Sequence, residues 1–119
     1  MLFRSEGNTI PVDETADTAV YVLLGVAVVL VAPLAEELFF RSFVFRAMLS
    51  MWPAWVALFL SGLAFSLFHI NPSVIIPFTI VGMLFAWAYR STGSIWTAIG
   101  AHAMVNGISF VLTVSQTTA

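Results

Sequence analysis

Of the 119 residues, 61% are hydrophobic and 8% charged, none of them lysine, and the mean hydropathy is +1.02. A soluble domain carries roughly 25% charged residues to keep its surface hydrated, so this chain in water would expose apolar patches that monomers rarely tolerate. The net charge of −2 provides no basic face for nucleic acid, and the absence of cysteine excludes disulfides, thiolate catalysis and cysteine-ligated zinc.

Residues 1–18 read as a polar tail. They hold Glu6, Asp13, Glu14 and Asp17 together with Pro11, and lack the apolar core of a signal peptide. A transmembrane core over residues 19–115 follows, then a short tail at 116–119. The first apolar stretch runs from Ala19 to about Met51 and contains Pro33, Glu36, Glu37, Arg41 and Arg46. As one straight helix it would reach roughly 50 Å, against a hydrocarbon core of about 30 Å. It is therefore expected to tilt, to kink near Pro33, where a backbone donor is missing, or to break.

Met51-Trp52-Pro53 reads as a turn, with Pro53 placed to open a second span from Ala54 to about Ile70. Asn71-Pro72-Ser73 ends that span, and a third runs from Val74 to Tyr89. Ser91-Thr92-Gly93-Ser94 connects to a fourth, Ile95 to Val114, which Ser94 can cap. The expected fold is an all-α polytopic transmembrane bundle of about four antiparallel spans. Arg46 and Arg90 fall at the ends of the first and third spans, so the positive-inside tendency puts that side in the cytoplasm.

Ionisable groups inside a span cost roughly 2.5–3.5 kcal/mol each on insertion scales and are rarely ornamental. Here they are Glu36, Glu37, Arg41, His69 and His102, joined by the amide of Asn106. Glu37 and Arg41 are four residues apart with the acid first, the favourable order for a structural ion pair. His102 and Asn106 share a helix face by the same spacing, whereas Glu36 points about 100° away from Glu37. Taken singly, Asn106 reads as an interhelical hydrogen-bonding group, His69 as a packing residue at a helix end, and Phe65 as packing. Glu36 has no cation at helical spacing and needs a base from another helix. One carboxylate, two imidazoles and an amide on three helices form a candidate site.

A carboxylate and an imidazole can together hold and deprotonate a water. A second imidazole and an amide can donate hydrogen bonds to the oxyanion of a tetrahedral intermediate. Glu36, His69 and His102 also form a legitimate zinc ligand set. A metal-free site is the favoured expectation. Glu37 is taken to be committed to Arg41, so supporting partners for metal-bound histidines would have to be backbone carbonyls. A zinc on Glu36 would also leave no carboxylate free as general base.

Three motifs occur in order: Glu36-Glu37-Leu38-Phe39-Phe40-Arg41, Phe65-Ser66-Leu67-Phe68-His69 and His102-Ala103-Met104-Val105-Asn106. Ala32-Pro33-Leu34-Ala35 precedes the first, and Arg90-Ser91-Thr92-Gly93-Ser94-Ile95-Trp96 precedes the third. As an ordered set they resemble the CAAX prenyl protease and bacteriocin-processing family of intramembrane endopeptidases, over about Val31 to Ile108. The resemblance implies that Glu36 and His69 activate water, that His102 and Asn106 bind the oxyanion, and that Glu37 and Arg41 hold the first helix. It also implies a membrane-associated peptide or protein substrate, lipidated in some members, or a role in bacteriocin immunity. Family members usually carry further spans around such a core. The expected location is the plasma membrane of a prokaryote. Two rival readings keep the same residues, as a non-catalytic partner-binding protein or as a proton-coupled transporter; the latter is weakened by the lack of repeated halves.

Overall fold

The computed structural model describes residues 14–118, which are helical apart from short connections. A first helix, α1, runs without interruption through Glu14–Val26, Ala27–Val31, Ala32–Glu37, Leu38–Phe45 and Arg46–Leu49. It is followed by α2 (Ala54–Phe68), a 3₁₀ turn (Pro72–Val74), α3 (Ile75–Thr92) and α4 (Ile95–Thr118). No strand occurs among the described residues. Residues 1–13 of the expected polar tail, and Ala119, lie outside the described residues. The remainder of both expected tails is already helical, so α1 and α4 extend beyond the core bounds read from hydropathy.

Among the described residues, three helices are long and apolar enough to cross a membrane: Asp17–Leu49, Pro72–Thr92 and Ile95–Thr117. The expected second span, α2, is shorter. Its 15 residues rise about 22 Å, less than a full hydrocarbon core. Leu23, Phe43, Trp55, Trp87, Trp96 and Val111 all point outward, a surface that suits lipid and not water. The protein is an integral membrane protein with a helical bundle fold.

The irregularity expected at Pro33 is a change of winding, not a break. Ala27–Val31 and Leu38–Phe45 are π-wound, and the buried Pro33 lies between them. Proline cannot donate to the turn before it and crowds that turn. A π turn moves the hydrogen-bond register by one residue and lets the helix continue past the obstruction.

In lipid the apolar effect does not drive helices together, so close packing and polar contacts must do so. α2 and α3 approach closely at Gly62 and Gly82. A Cβ on Gly62 would sit 2.5 Å from the Thr79 carbonyl oxygen, and one on Gly82 would sit 2.9 Å from Gly62 Cα. Ser66 Oγ and Thr79 Oγ1 both donate to the Ile75 carbonyl, at 2.9 and 2.6 Å, bracing the α2–α3 junction. Two buried clusters then fix α1 against this pair. Phe40, Phe65 and Phe85 form one, and Phe45, Ala57 and Ala86 form the other. The Phe45 and Tyr89 rings meet at 6.3 Å, which puts the C-terminal ends of α1 and α3, with Arg46 and Arg90, on one side of the bundle. α4 packs along Ala27–Val31 and Ala32–Glu37 of α1 and against α3.

The connections follow from residue chemistry. Gly93 ends α3 in the left-handed conformation (φ 71°), its N–H bonding the Tyr89 carbonyl at 2.9 Å, a geometry that costs glycine no Cβ clash. Ile70 adopts φ 50° directly after His69, a left-handed conformation unusual for a β-branched residue. Asn71 accepts the Ser73 N–H at 3.1 Å and so opens the 3₁₀ turn.

Candidate active site

Consecutive residues on a helix diverge by about 100°, and that divergence splits the two acids of α1 between environments. The side chain of Glu37 is 0% exposed and faces α4, whereas that of Glu36 is 17% exposed and faces the end of α2. The polar residues accordingly form an inner, buried cluster and an outer, partly exposed pair.

The inner cluster is built on Glu37. Its Oε1 lies 3.1 Å from Arg41 Nε one turn on. Neither atom makes an aligned hydrogen bond, so this attraction is Coulombic. Arg41 instead directs Nη2–H at the Gly82 carbonyl, 2.8 Å away on α3. Its guanidinium carbon also stands 4.9 Å from the Phe65 ring centroid, 5.6 Å from Phe85 and 6.0 Å from Phe40, within cation–π range of all three. The second oxygen of Glu37, Oε2, is 2.7 Å from His102 Nδ1, a short, charge-assisted contact sealed from the surroundings. His102 stacks on Phe85 with centroids 4.7 Å apart.

The outer pair is Glu36 and His69. His69 Nδ1–H donates to the Phe65 carbonyl at 2.8 Å, meeting an acceptor left over at the end of α2. That bond assigns a hydrogen to Nδ1 and turns Nε2, which carries the lone pair in the neutral ring, toward Glu36 Oε1 at 3.6 Å. The distance is beyond a direct hydrogen bond and within reach of a shared water. The ring of Phe65 joins the two groups, with centroids 4.9 Å from His69 and 5.5 Å from His102.

Asn106 lies one turn beyond His102 on α4 and turns its amide toward α1. Its Nδ2–H donates to the Val28 carbonyl at 2.9 Å.

A family model described as type II CAAX prenyl endopeptidase Rce1-like matches residues 18–108, which include every polar residue above. The chain belongs to this family. The chain is also similar to a Bacillus subtilis (strain 168) protein named "Putative membrane peptidase YdiL", 32% identical over 77 residues. The aligned part covers 65% of this chain and 32% of that relative, so the chain spans about a third of the relative's length. No solved structure matches the chain.

The geometry brings Glu36 to His69 and Glu37 to both Arg41 and His102, while Asn106 reaches a main-chain carbonyl. The second partner of Glu37 corrects the expectation that this acid is used up by Arg41. Each histidine therefore has its Nδ1 held by an oxygen, Phe65 O or Glu37 Oε2. That arrangement orients a general base, and it orients a metal-bound imidazole equally well. Both histidines thus have the Nδ1 support that a metal-bound imidazole would need. Among the described residues, no three His, Asp or Glu side chains gather closely enough to hold one ion. Phe65 has more than a packing role, since it contacts Arg41 and both histidines.

Proposed function

We propose that this chain carries the hydrolytic centre of a membrane peptidase, cleaving a peptide bond of a membrane-associated protein or peptide with water as nucleophile. The observation that carries this reading is the outer pair: Glu36 Oε1 and His69 Nε2 face each other 3.6 Å apart, with the histidine tautomer set by Phe65. Both atoms are acceptors in that tautomer. A water beside the pair donates to both, which leaves its oxygen lone pair for the scissile carbonyl.

In the proposed reaction the pair takes the water proton as the C–O bond forms. The carbonyl oxygen becomes an oxyanion, and His102 Nε2–H and Asn106 Nδ2–H donate to it. For Nε2 to donate while Nδ1 is bonded to Glu37, both ring nitrogens carry hydrogen. Glu37 is then the counter-ion, with Arg41 Nε 3.1 Å from its other oxygen. Collapse of the intermediate breaks the C–N bond, and the proton held by Glu36 and His69 passes to the leaving amine. The proposed mechanism is metal-free. It leaves Glu36 free as the base, which a zinc bound to Glu36, His69 and His102 would not. The proposed setting is the plasma membrane of a prokaryote.

The test is hydrolysis of a peptide library by detergent-purified protein, wild type against Glu36→Gln, with elemental analysis of the same active preparation. Turnover is expected to fall about 10²–10⁴-fold, the usual contribution of a general base, with no stoichiometric metal. Equal turnover by both proteins defeats Glu36 as the base, and a wild-type protein without turnover defeats the hydrolytic reading. Zinc near one per chain, with activity lost on its removal and regained on its return, defeats the metal-free one.

A further inference from the structure

Proline removes one donor from α1, and the winding of the helix decides which carbonyl goes without. In α winding the deprived carbonyl would be four residues back, at Val29. Here the N–H of Ala32 already reaches five residues back, to the Ala27 carbonyl. Advanced by one residue, that register pairs position 33 with the Val28 carbonyl, and Pro33 has no hydrogen to offer. A backbone carbonyl without a donor is costly within a bilayer, and helices there recruit side chains from neighbours to satisfy it. The recruit is Asn106, whose Nδ2–H meets Val28 O at 2.9 Å across the α1–α4 interface.

We infer that Pro33 is a positioning residue for Asn106: by leaving the Val28 carbonyl without a helical donor, it creates the acceptor that fixes the Asn106 carboxamide. The inference rests on the hydrolytic reading only for the role of Asn106 toward substrate. The carboxamide is planar and has two N–H hydrogens. Holding one against a rigid backbone carbonyl fixes the plane, and with it the direction of the second, the one available to an oxyanion. The π turn at Ala27–Val31, the proline and the amide thus form one device. The acid motif begins three residues after Pro33, at Glu36, so the element that carries the base also sets the oxyanion donor.

The test has a structural arm and a kinetic arm. The full chain, with ¹³C-carbonyl valine and ¹⁵N asparagine, is reconstituted in lipid bilayers for solid-state NMR. A dipolar contact between the Asn106 side-chain nitrogen and the Val28 carbonyl carbon is expected in wild type. It is expected to be lost in Pro33→Ala, where the restored N–H competes for that carbonyl. Alanine is the better helix former, so the variant is expected to fold. In the kinetic arm, Pro33→Ala lowers kcat about tenfold, the scale of one hydrogen bond, with KM unchanged. In an Asn106→Ala background the same change has no further effect.

Absence of the contact in wild type, its survival in Pro33→Ala, or additive kinetic losses each overturn the inference. A wild-type protein that cleaves no peptide defeats the hydrolytic reading instead, and the NMR arm then still decides whether Pro33 positions Asn106.

Discussion

Adjacent acids on one helix turn are expected to respond differently to the same substitution. Glu36→Gln removes a charge that is partly exposed and 3.6 Å from its histidine, so it strands no buried partner. Glu37→Gln removes a fully buried charge from between Arg41 and His102. Breaking one side of a buried ion pair costs about 3–5 kcal/mol, because the remaining charge is left without compensation. The expected outcome is a thermal midpoint in detergent near wild type for Glu36→Gln and much lower for Glu37→Gln. Turnover should be lost in both, since Glu37 also holds His102. Equal midpoints for the two variants would contradict the division into an inner and an outer acid. Arginine rather than lysine suits position 41 because its planar fork can address Gly82 O while its faces lie against aromatic rings.

At the scale of elements, the α2–α3 contact rests on two hydrogens. Gly62→Ala would drive a Cβ to within 2.5 Å of the Thr79 carbonyl, and backbone cannot move aside as a flexible side-chain tip can. A loss of about 1–3 kcal/mol is expected, read as a lowered midpoint in detergent. Gly100→Ala is the control, because a Cβ there meets nothing within 4 Å. Matching midpoints for the two variants would show that the close approach is not there. These elements were legible in the sequence to different degrees. Apolar runs punctuated by Trp52-Pro53, Asn71-Pro72 and Ser91–Ser94 are local signals, and the helices and turns follow them closely. The π winding of α1 was not legible, because it depends on which carbonyl finds which donor, and only part of that choice is made within the helix. The bond from His102 to Glu37 joins positions 65 apart, and nothing in the Glu37–Arg41 spacing requires a second partner. Asn106 was readable as a polar group that needs a partner in lipid. That its partner is the Val28 carbonyl was not readable.

For the molecule as a whole, the antiparallel course puts the α1–α2 and α3–α4 connections on one side of the membrane. The natural absence of cysteine makes this directly measurable. Single substitutions Ser50→Cys and Ser91→Cys, both at exposed positions, are expected to share one labelling pattern with an impermeant maleimide. With Arg46 and Arg90 close by, that side is expected to be the cytoplasmic one, so both should react only after the cells are opened. Labelling of one site but not the other in intact cells would break the proposed course of the chain.

The π turn at Ala27–Val31 bears on how this helix can change length over generations. Such a turn is what one additional residue produces when it enters an α-helix without being expelled as a loop. Its deletion would leave an unbroken, equally apolar helix, so neither hydropathy nor membrane insertion would oppose the loss. Everything before the deletion, however, would rotate by about 100° relative to Glu36 and Glu37. The carbonyl offered to Asn106 would then face elsewhere. At this one stretch, single-residue insertions and deletions are therefore a stricter constraint on the chain than the identity of its aliphatic side chains.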